Sequence, residues 1–191
     1  MRRIAWLAAA GAVLVVGVLS ACAKEEAAGP TTLVIGDSLT VGAKLGGLGP
    51  DDGVSIDAVE GRTTEEGIAV LEDKDLSGYQ QVIVALGTND YTDTEAEFAP
   101  KIARMVKAAD GRPVIWVNVD AGTSKLAPAA DGVNAALALV EQAPGKLTVA
   151  DWDRYINSRD DADELRAGDG VHDSTKGYRV RADWIADLAQ A

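Results

Sequence analysis

The chain has 191 residues, 47% of them hydrophobic, and its formal net charge is −12. From Cys22 onward it carries 16 Lys and Arg against 30 Asp and Glu, a net charge of −14. Such an acidic surface repels phosphate backbones, which argues against nucleic-acid binding. Because Cys22 is the only cysteine, an intrachain disulfide is excluded.

The first residues have the layout of an export signal. Arg2 and Arg3 precede an apolar stretch from Ile4 to about Leu19, and small residues follow. This pattern predicts a secretory signal peptide over residues 1–21. The apolar stretch is also just long enough for an uncleaved membrane anchor. Both readings of the stretch predict an extracytoplasmic location for the rest of the chain.

The end of this stretch, Leu19-Ser20-Ala21-Cys22, resembles a bacterial lipobox. The resemblance implies that Cys22 is lipidated and becomes the first residue of the mature protein. Two or more acyl chains are enough for stable anchoring to the cell membrane. Plain secretion is the alternative. Residues 22–30 contain a Gly-Pro pair and are predicted to be a lipidated tether, which leaves residues 31–191 as the folded domain.

Five short apolar runs recur along that domain and predict strands. They cover residues 31–36, 54–59, 81–87, 113–119 and 146–152. Runs three and four are almost continuously apolar, as in parallel strands covered on both faces. Stretches with helical spacing lie at 63–73, 92–110, 131–143 and 174–190. This alternation predicts an α/β layered fold with a parallel sheet and no second domain.

Polar residues follow several of these strands at the point where each strand ends. Because the carboxyl ends of parallel strands meet at one edge, groups that follow them are expected to line a common rim. The residues in question are Gly36-Asp37-Ser38, Glu60-Gly61-Arg62, Gly87-Thr88-Asn89-Asp90 and, before the last helix, Asp169-Gly170-Val171-His172.

These side chains suit acyl transfer through a serine. A serine hydroxyl needs a base to take its proton, and an imidazole is the best base near neutral pH. Ser38 is therefore the predicted nucleophile, His172 the base and Asp169 the carboxylate that orients it. The backbone N–H groups of Ser38 and Gly61 and the side-chain amide of Asn89 are the predicted oxyanion donors.

Each of these residues also suits a purely structural role. Ser38 suits a helix N-cap, and Gly61 suits the end of a strand. Asn89 suits a turn, and His172 suits a packed or surface position. Arg62 and Tyr91 are candidate substrate contacts. An acidic cluster at residues 160–164 lacks the pattern of a calcium loop, so no metal site is predicted.

The blocks GDSLT, EGRTTEEG, GTND and DGVH, in this order, resemble those of the SGNH (GDSL) hydrolase superfamily. The resemblance spans residues 31–190 and maps the four hallmark residues onto Ser38, Gly61, Asn89 and His172. It implies a flavodoxin-like three-layer α/β/α sandwich with a five-stranded parallel sheet. It also implies esterase, lipase, thioesterase or carbohydrate acetylesterase activity without a cofactor. Many members have proline after the catalytic histidine, whereas this chain has Asp173, which is expected either to alter the histidine's surroundings or to contact a substrate.

Three functions are compatible with these residues. The first is a serine esterase acting on small acyl esters or acetylated envelope glycans. The second is an O-acyltransferase, because transfer and hydrolysis share one acyl-enzyme and differ only in the acceptor. The third is a catalytically silent envelope-binding module with the same fold.

Overall fold

The computed structural model describes residues 31–141 and 147–191. The predictions for the signal peptide, for lipidation of Cys22 and for the tether all lie outside the described residues. Within the described ranges, no helix is long and apolar enough to cross a membrane.

Each of the five apolar runs forms a strand, and the strands make one parallel sheet. Their bounds are β1 Thr32–Gly36, β2 Val54–Ala58, β3 Gln81–Ala85, β4 Val114–Val117 and β5 Leu147–Ala150. The sheet order is β2-β1-β3-β4-β5, and every pairing between neighbours is parallel. The fold class predicted from the sequence is therefore confirmed, and the observed strand order is that of flavodoxin-like sheets.

The helices lie on both faces of this sheet. Their bounds are α1 Ser38–Gly46, α2 Thr64–Glu72, α3 Glu95–Ala108, α4 Ala127–Glu141, α5 Trp152–Asn157, α6 Ala162–Leu165 and α7 Thr175–Gln190, with a short 3-10 turn at Pro50–Asp52. Alternate residues of a strand face opposite ways, which divides the core in two. Leu33 and Ile35 pack with α2, α3 and α4, whereas Val34 packs with α1, α5 and α7.

The starts of several helices follow from the sequence. Thr63 and Glu66 form a capping box at α2, in which each side chain bonds the other residue's backbone N–H. Ser174 caps α7 by accepting from the N–H of Gly177. One prediction was wrong: Trp152 begins α5 and does not lie on a strand, because Asp151 accepts from the N–H of Arg154 and caps a helix there.

The register of the sheet determines where the loops gather. Gly36, at the end of β1, lies opposite Ala58 of β2 and Ala85 of β3. The three strands therefore end at the same level, and the loops that follow them leave the same edge of the sheet. The strand order reverses at β1, because β2 lies on one side of it and β3 on the other. Ligands of open parallel sheets bind at the carboxyl edge beside such a reversal.

Candidate active site

Ser38 is the first residue of α1, at a tight corner after β1. Asp37 caps the helix by accepting the N–H of Leu39 at 2.9 Å through Oδ1. A Cβ on Gly36 would lie 2.0 Å from Oγ1 of Thr40, so only glycine allows the first turn of α1 to pack this closely on the strand. The corner leaves the Ser38 side chain partly exposed at the rim of the sheet.

Asp169 organises the loop that carries His172. Its Oδ1 accepts the backbone N–H groups of Val171 and His172, each at 2.9 Å. Its Oδ2 lies 2.7 Å from Nδ1 of the His172 ring. The N–H groups of His172 and Val171, together with the imidazole, hold the pKa of Asp169 well below its usual range. Asp169 is therefore ionised at neutral pH and acts only as an acceptor.

The structure brings the first loop and the last loop into contact. Nε2 of His172 lies 3.0 Å from Oγ of Ser38, although the two residues are 134 positions apart. Because Asp169 can only accept, the proton of the neutral imidazole is assigned to Nδ1, and Nε2 is free to accept from the Ser38 hydroxyl. The three side chains thus have the connectivity of a Ser-His-Asp triad.

This triad is open to solvent. The His172 side chain is 39% exposed and that of Asp169 is 52% exposed. Five cavities in the described part of the chain, with volumes from about 10 to about 520 Å³, are lined by residues other than Ser38, Asp169 and His172. Gly61, however, lines one of them, a cavity of about 200 Å³. The three side chains therefore lie on an open surface that borders this small cavity.

The His172 loop is fixed from two sides. The hydroxyl of Thr123 donates to the carbonyl of Gly170 at 2.6 Å, which ties it to the loop after β4. The Asp173 carboxylate accepts Nε of Arg181 at 2.5 Å, and both side chains are about 5% exposed. The guanidinium of Arg181 also stacks on the ring of Trp152, 4.1 Å from its centroid. Asp173 is thus buried beneath the histidine loop, and a direct contact with substrate is ruled out.

The predicted oxyanion donors differ in whether they already donate a hydrogen bond within the protein. The N–H of Ser38 is in the first turn of α1, and within the described residues neither it nor the N–H of Gly61 has an acceptor. The Asn89 side-chain amide donates to the carbonyl of Arg62 at 3.1 Å and to Oδ2 of Asp37 at 3.3 Å. Asn89 is therefore bonded to the residue beside Ser38 and to the residue beside Gly61.

Two aspartates at this rim are buried and bond the loops. Asp90 accepts the N–H and hydroxyl of Thr64 at 3.0 and 2.8 Å, and it pairs with Lys101 at 2.7 Å. Asp37 is 1% exposed, and this burial raises its pKa to about 6 against the opposing N–H of Leu39 and the charge of Arg181. Both residues hold loops in place.

Arg62 is not a substrate contact, contrary to the role considered for it from the sequence. Its side chain is 7% exposed, and its guanidinium bonds Asp57 and the carbonyl of Gly36. Sequence analysis missed Asp57, Thr123 and Arg181 as supports of the site. Of the three, only Asp57 gave a signal in the sequence, as a charged residue inside a predicted strand.

Taken together, the fold and the site define an α/β/α protein with a surface-exposed serine, histidine and aspartate at the carboxyl edge of its sheet. No protein-family model matches the chain, and no curated protein matches it. Solved structures do match. The fold is that of the SGNH (GDSL) hydrolases. The fold expected from the resemblance of the sequence blocks is therefore confirmed.

Three of these structures illustrate the match. A lipase/acylhydrolase from Enterococcus faecalis is 24% identical, with a TM-score of 0.64 over 82% of this chain and 94% of that one. The C-terminal catalytic domain of Streptococcus pneumoniae peptidoglycan O-acetyltransferase A is 21% identical, with a TM-score of 0.66 over 83% and 92%. A GDSL-like lipase from Bacteroides thetaiotaomicron is 18% identical, with a TM-score of 0.64 over 83% and 87%.

Proposed function

We propose that the protein is a serine esterase that hydrolyses small acyl esters, acetyl esters in particular. The observation that carries the proposal is the pair of contacts at His172, 3.0 Å to the Ser38 hydroxyl and 2.7 Å to Asp169. A serine hydroxyl is activated for attack on a carbonyl when it bonds a base that is itself oriented by an ionised carboxylate. The SGNH fold adds support, because hydrolases and acyl-transfer domains share it.

The acylation step follows from this geometry. As Oγ of Ser38 attacks the ester carbonyl carbon, its proton moves to Nε2 of His172. Asp169 stabilises the imidazolium that forms, since its carboxylate already accepts from Nδ1. The carbonyl π electrons move onto the oxygen, which becomes an oxyanion. His172 then gives its proton to the leaving alcohol, the C–O bond breaks, and an acyl-Ser38 ester remains.

The oxyanion is stabilised by donors that need no large rearrangement. The N–H groups of Ser38 and Gly61 lack acceptors within the described residues, so they are available to it. Asn89 has two N–H groups, and its contact with Asp37 at 3.3 Å is longer than its contact with Arg62 at 3.1 Å. We propose that the N–H facing Asp37 turns to the oxyanion. Loss of one such donor typically costs about 10²–10³ in kcat.

The open site favours a short acyl group. A long chain gains affinity by burying its methylene groups, at about 0.8 kcal/mol each, and needs an enclosed cavity for that purpose. The exposed side chains beside Ser38 offer little such burial, whereas an acetyl group requires almost none. An exposed triad also suits a bulky alcohol such as a glycan, which cannot enter a narrow pocket.

Transfer to a hydroxyl acceptor is the second candidate. The acyl-Ser38 ester is the same in both reactions, and a sugar hydroxyl replaces water when His172 acts as base in the second step. The structural similarity to a peptidoglycan O-acetyltransferase domain favours acyl transfer over a silent binding module as the second candidate.

One experiment separates the candidates. The purified protein is incubated with 4-nitrophenyl acetate, butyrate and octanoate, with and without a chitooligosaccharide acceptor. The variants are Ser38→Ala and, as matched control, Ser77→Ala, which lies in the loop before β3 at the other edge of the sheet. If the protein is an esterase, Ser38→Ala lowers the rate about 10³-fold or more, Ser77→Ala leaves it unchanged, and the acetate is the preferred substrate. Acetylated oligosaccharide in place of free acetate indicates a transferase. Absence of Ser38-dependent turnover on every substrate leaves the silent binding module.

We propose further that the enzyme works outside the cytoplasm, held to the membrane through Cys22. The basic start, the apolar stretch and the lipobox-like Leu19-Ser20-Ala21-Cys22 support this location. Expression in a bacterial host, followed by membrane fractionation and mass spectrometry, tests it. Wild-type protein is expected in the membrane fraction with an acylated Cys22, and Cys22→Ala is expected to lose the lipid. Unmodified Cys22 in soluble wild-type protein would contradict the proposal.

A further inference from the structure

Arg62 is a buried arginine whose guanidinium forms hydrogen bonds within the protein. Its Nη2 donates to Oδ1 of Asp57 at 2.8 Å, and its Nη1 donates to the carbonyl of Asp57 at 2.6 Å and to that of Gly36 at 3.4 Å. These acceptors lie on β2 and on the last residue of β1. Only a planar guanidinium presents several donors in a fixed fork, so one side chain joins both strands where they end.

The backbone of the same residue bonds within its own loop, which contains Gly61, and to the loop that carries Asn89. The N–H of Arg62 donates to the carbonyl of Val59 at 3.2 Å, which closes the turn containing Gly61. Gly61 adopts a φ of 74°, a left-handed conformation that glycine tolerates best. The carbonyl of Arg62 accepts the Asn89 side-chain amide at 3.1 Å. The position of Arg62 therefore determines where both Gly61 and Asn89 lie relative to the strand that leads to Ser38.

We propose that Arg62 is a positioning residue, which fixes the Gly61 N–H and the Asn89 amide relative to Ser38 through its bonds to Asp57, Gly36 and Asn89. The inference rests on the proposed function, because these groups matter as a set only if an oxyanion forms between them. Arg62 touches no reacting atom. Its effect is to keep donors at the place where the charge develops, and small displacements of such donors are costly.

The decisive substitution is Arg62→Lys, which keeps the charge but loses the fork. A lysine ammonium reaches the Asp57 carboxylate or a carbonyl, but it cannot hold both strands in one plane. Asp57 keeps its ion pair with Lys74 at 2.9 Å, and the carbonyl of Gly36 keeps the N–H of Val59 at 3.2 Å. The substitution is therefore expected to loosen the turn without unfolding the protein.

Arg112→Lys is the matched control. Arg112 also bonds two backbone carbonyls and a carboxylate, through Tyr79 and Asp110, and it is 18% exposed. It precedes β4 and lies at the opposite edge of the sheet from Ser38. The two substitutions thus remove similar bonds, but only Arg62→Lys removes them beside the site.

Three measurements on the purified protein decide the matter. Arg62→Lys is expected to lower kcat on an acetyl ester about 10- to 100-fold with KM within about twofold, as when a transition-state contact is lost. It is also expected to shift the Asn89 side-chain amide resonances in a ¹H–¹⁵N spectrum, with the peaks assigned by their loss in Asn89→Asp. Arg112→Lys is expected to leave kcat and these resonances unchanged. Urea unfolding checks that both variants are folded, and Asp57→Asn replaces Arg62→Lys if the latter is not.

The inference is overturned if Arg62→Lys keeps kcat within about twofold of wild type, or if Arg112→Lys loses kcat to the same extent. Failure of the proposed function looks different, because wild type itself then shows no Ser38-dependent turnover. In that case the resonances alone decide. A shift of the Asn89 amide in Arg62→Lys but not in Arg112→Lys supports the positional role, and unchanged resonances refute it.

Discussion

Replacement of Asp37 by asparagine is expected to change how the stability of the protein depends on pH. Asp37 is 1% exposed, and burial raises its pKa from 3.8 to about 6. The unfolded chain exposes this carboxyl to water, so there its pKa is near the ordinary value. Asparagine has the same shape, accepts the N–H of Leu39 through its carbonyl oxygen, and carries no charge at any pH.

The sign of the effect follows from linkage. A carboxyl whose pKa is raised by folding binds its proton more tightly in the folded state than in the unfolded state. The stability that this proton contributes is complete below about pH 3.8 and is lost as the pH rises through about 6. A rise of about two units at about 1.36 kcal/mol per unit corresponds to about 3 kcal/mol. The wild type minus Asp37→Asn difference in unfolding free energy should therefore fall by about 3 kcal/mol between about pH 3 and about pH 7.5.

Urea unfolding of both proteins at half-unit pH intervals measures this difference, and constant contributions from other carboxylates cancel. Asp120→Asn is the matched control, because Asp120 is also buried. Burial opposes its ionisation, but Arg166, Gly122 and Asn157 hold the pKa of Asp120 below its usual range. Its difference should not fall over the same window. A wild type minus Asp37→Asn difference that stays constant within about 1 kcal/mol would show that burial does not control Asp37 as argued.

Two further substitutions test the loop that carries the imidazole. Asp169→Asn is expected to donate its amide N–H to Nδ1 of His172, which puts the ring proton on Nε2, where it cannot accept from the serine. Because Asp169 is half exposed, the cost should be that of about one hydrogen bond, about 1–3 kcal/mol, and kcat should fall about 5- to 150-fold. Asp173→Asn leaves the buried guanidinium of Arg181 without its anion and is expected to lower the unfolding free energy by about 3 kcal/mol, measured by urea unfolding. Wild-type kcat in Asp169→Asn, or wild-type stability in Asp173→Asn, would contradict the role given to each contact.

The sheet could be predicted from the sequence because the strands are short, mostly apolar runs followed by glycine or polar residues, and two of the runs are almost uninterrupted. The contact between Ser38 and His172 could be anticipated for a related reason. Parallel strands place their carboxyl ends together, so two loops far apart in sequence share one rim. Trp152 was misplaced because apolar character alone does not distinguish the end of a strand from the first turn of a helix. Asp151, the residue that caps that helix, was the available signal.

The supports of the site could not be predicted in the same way. Arg181 follows Asp173 by eight residues on α7, and only the packing of that helix on Trp152 brings the guanidinium under the histidine loop. Arg62 is adjacent to a predicted site residue, and an arginine there suits a substrate contact as well as an internal bond. Its role depends on the register of β1 and β2, which pairs Gly36 with Ala58 and so brings Gly36 close to Asp57. The sequence pattern does not give this register.

The most direct test of the central claim is covalent labelling of the serine by a small sulfonyl fluoride, followed by peptide mass spectrometry. The reagent requires an activated hydroxyl but no knowledge of the natural ester. A single sulfonyl group is expected on Ser38 in the wild-type protein, with labelling at least about 10²-fold slower in His172→Ala. Equal labelling of Ser38 in both proteins, or none in wild type, would contradict the claim that His172 activates this hydroxyl.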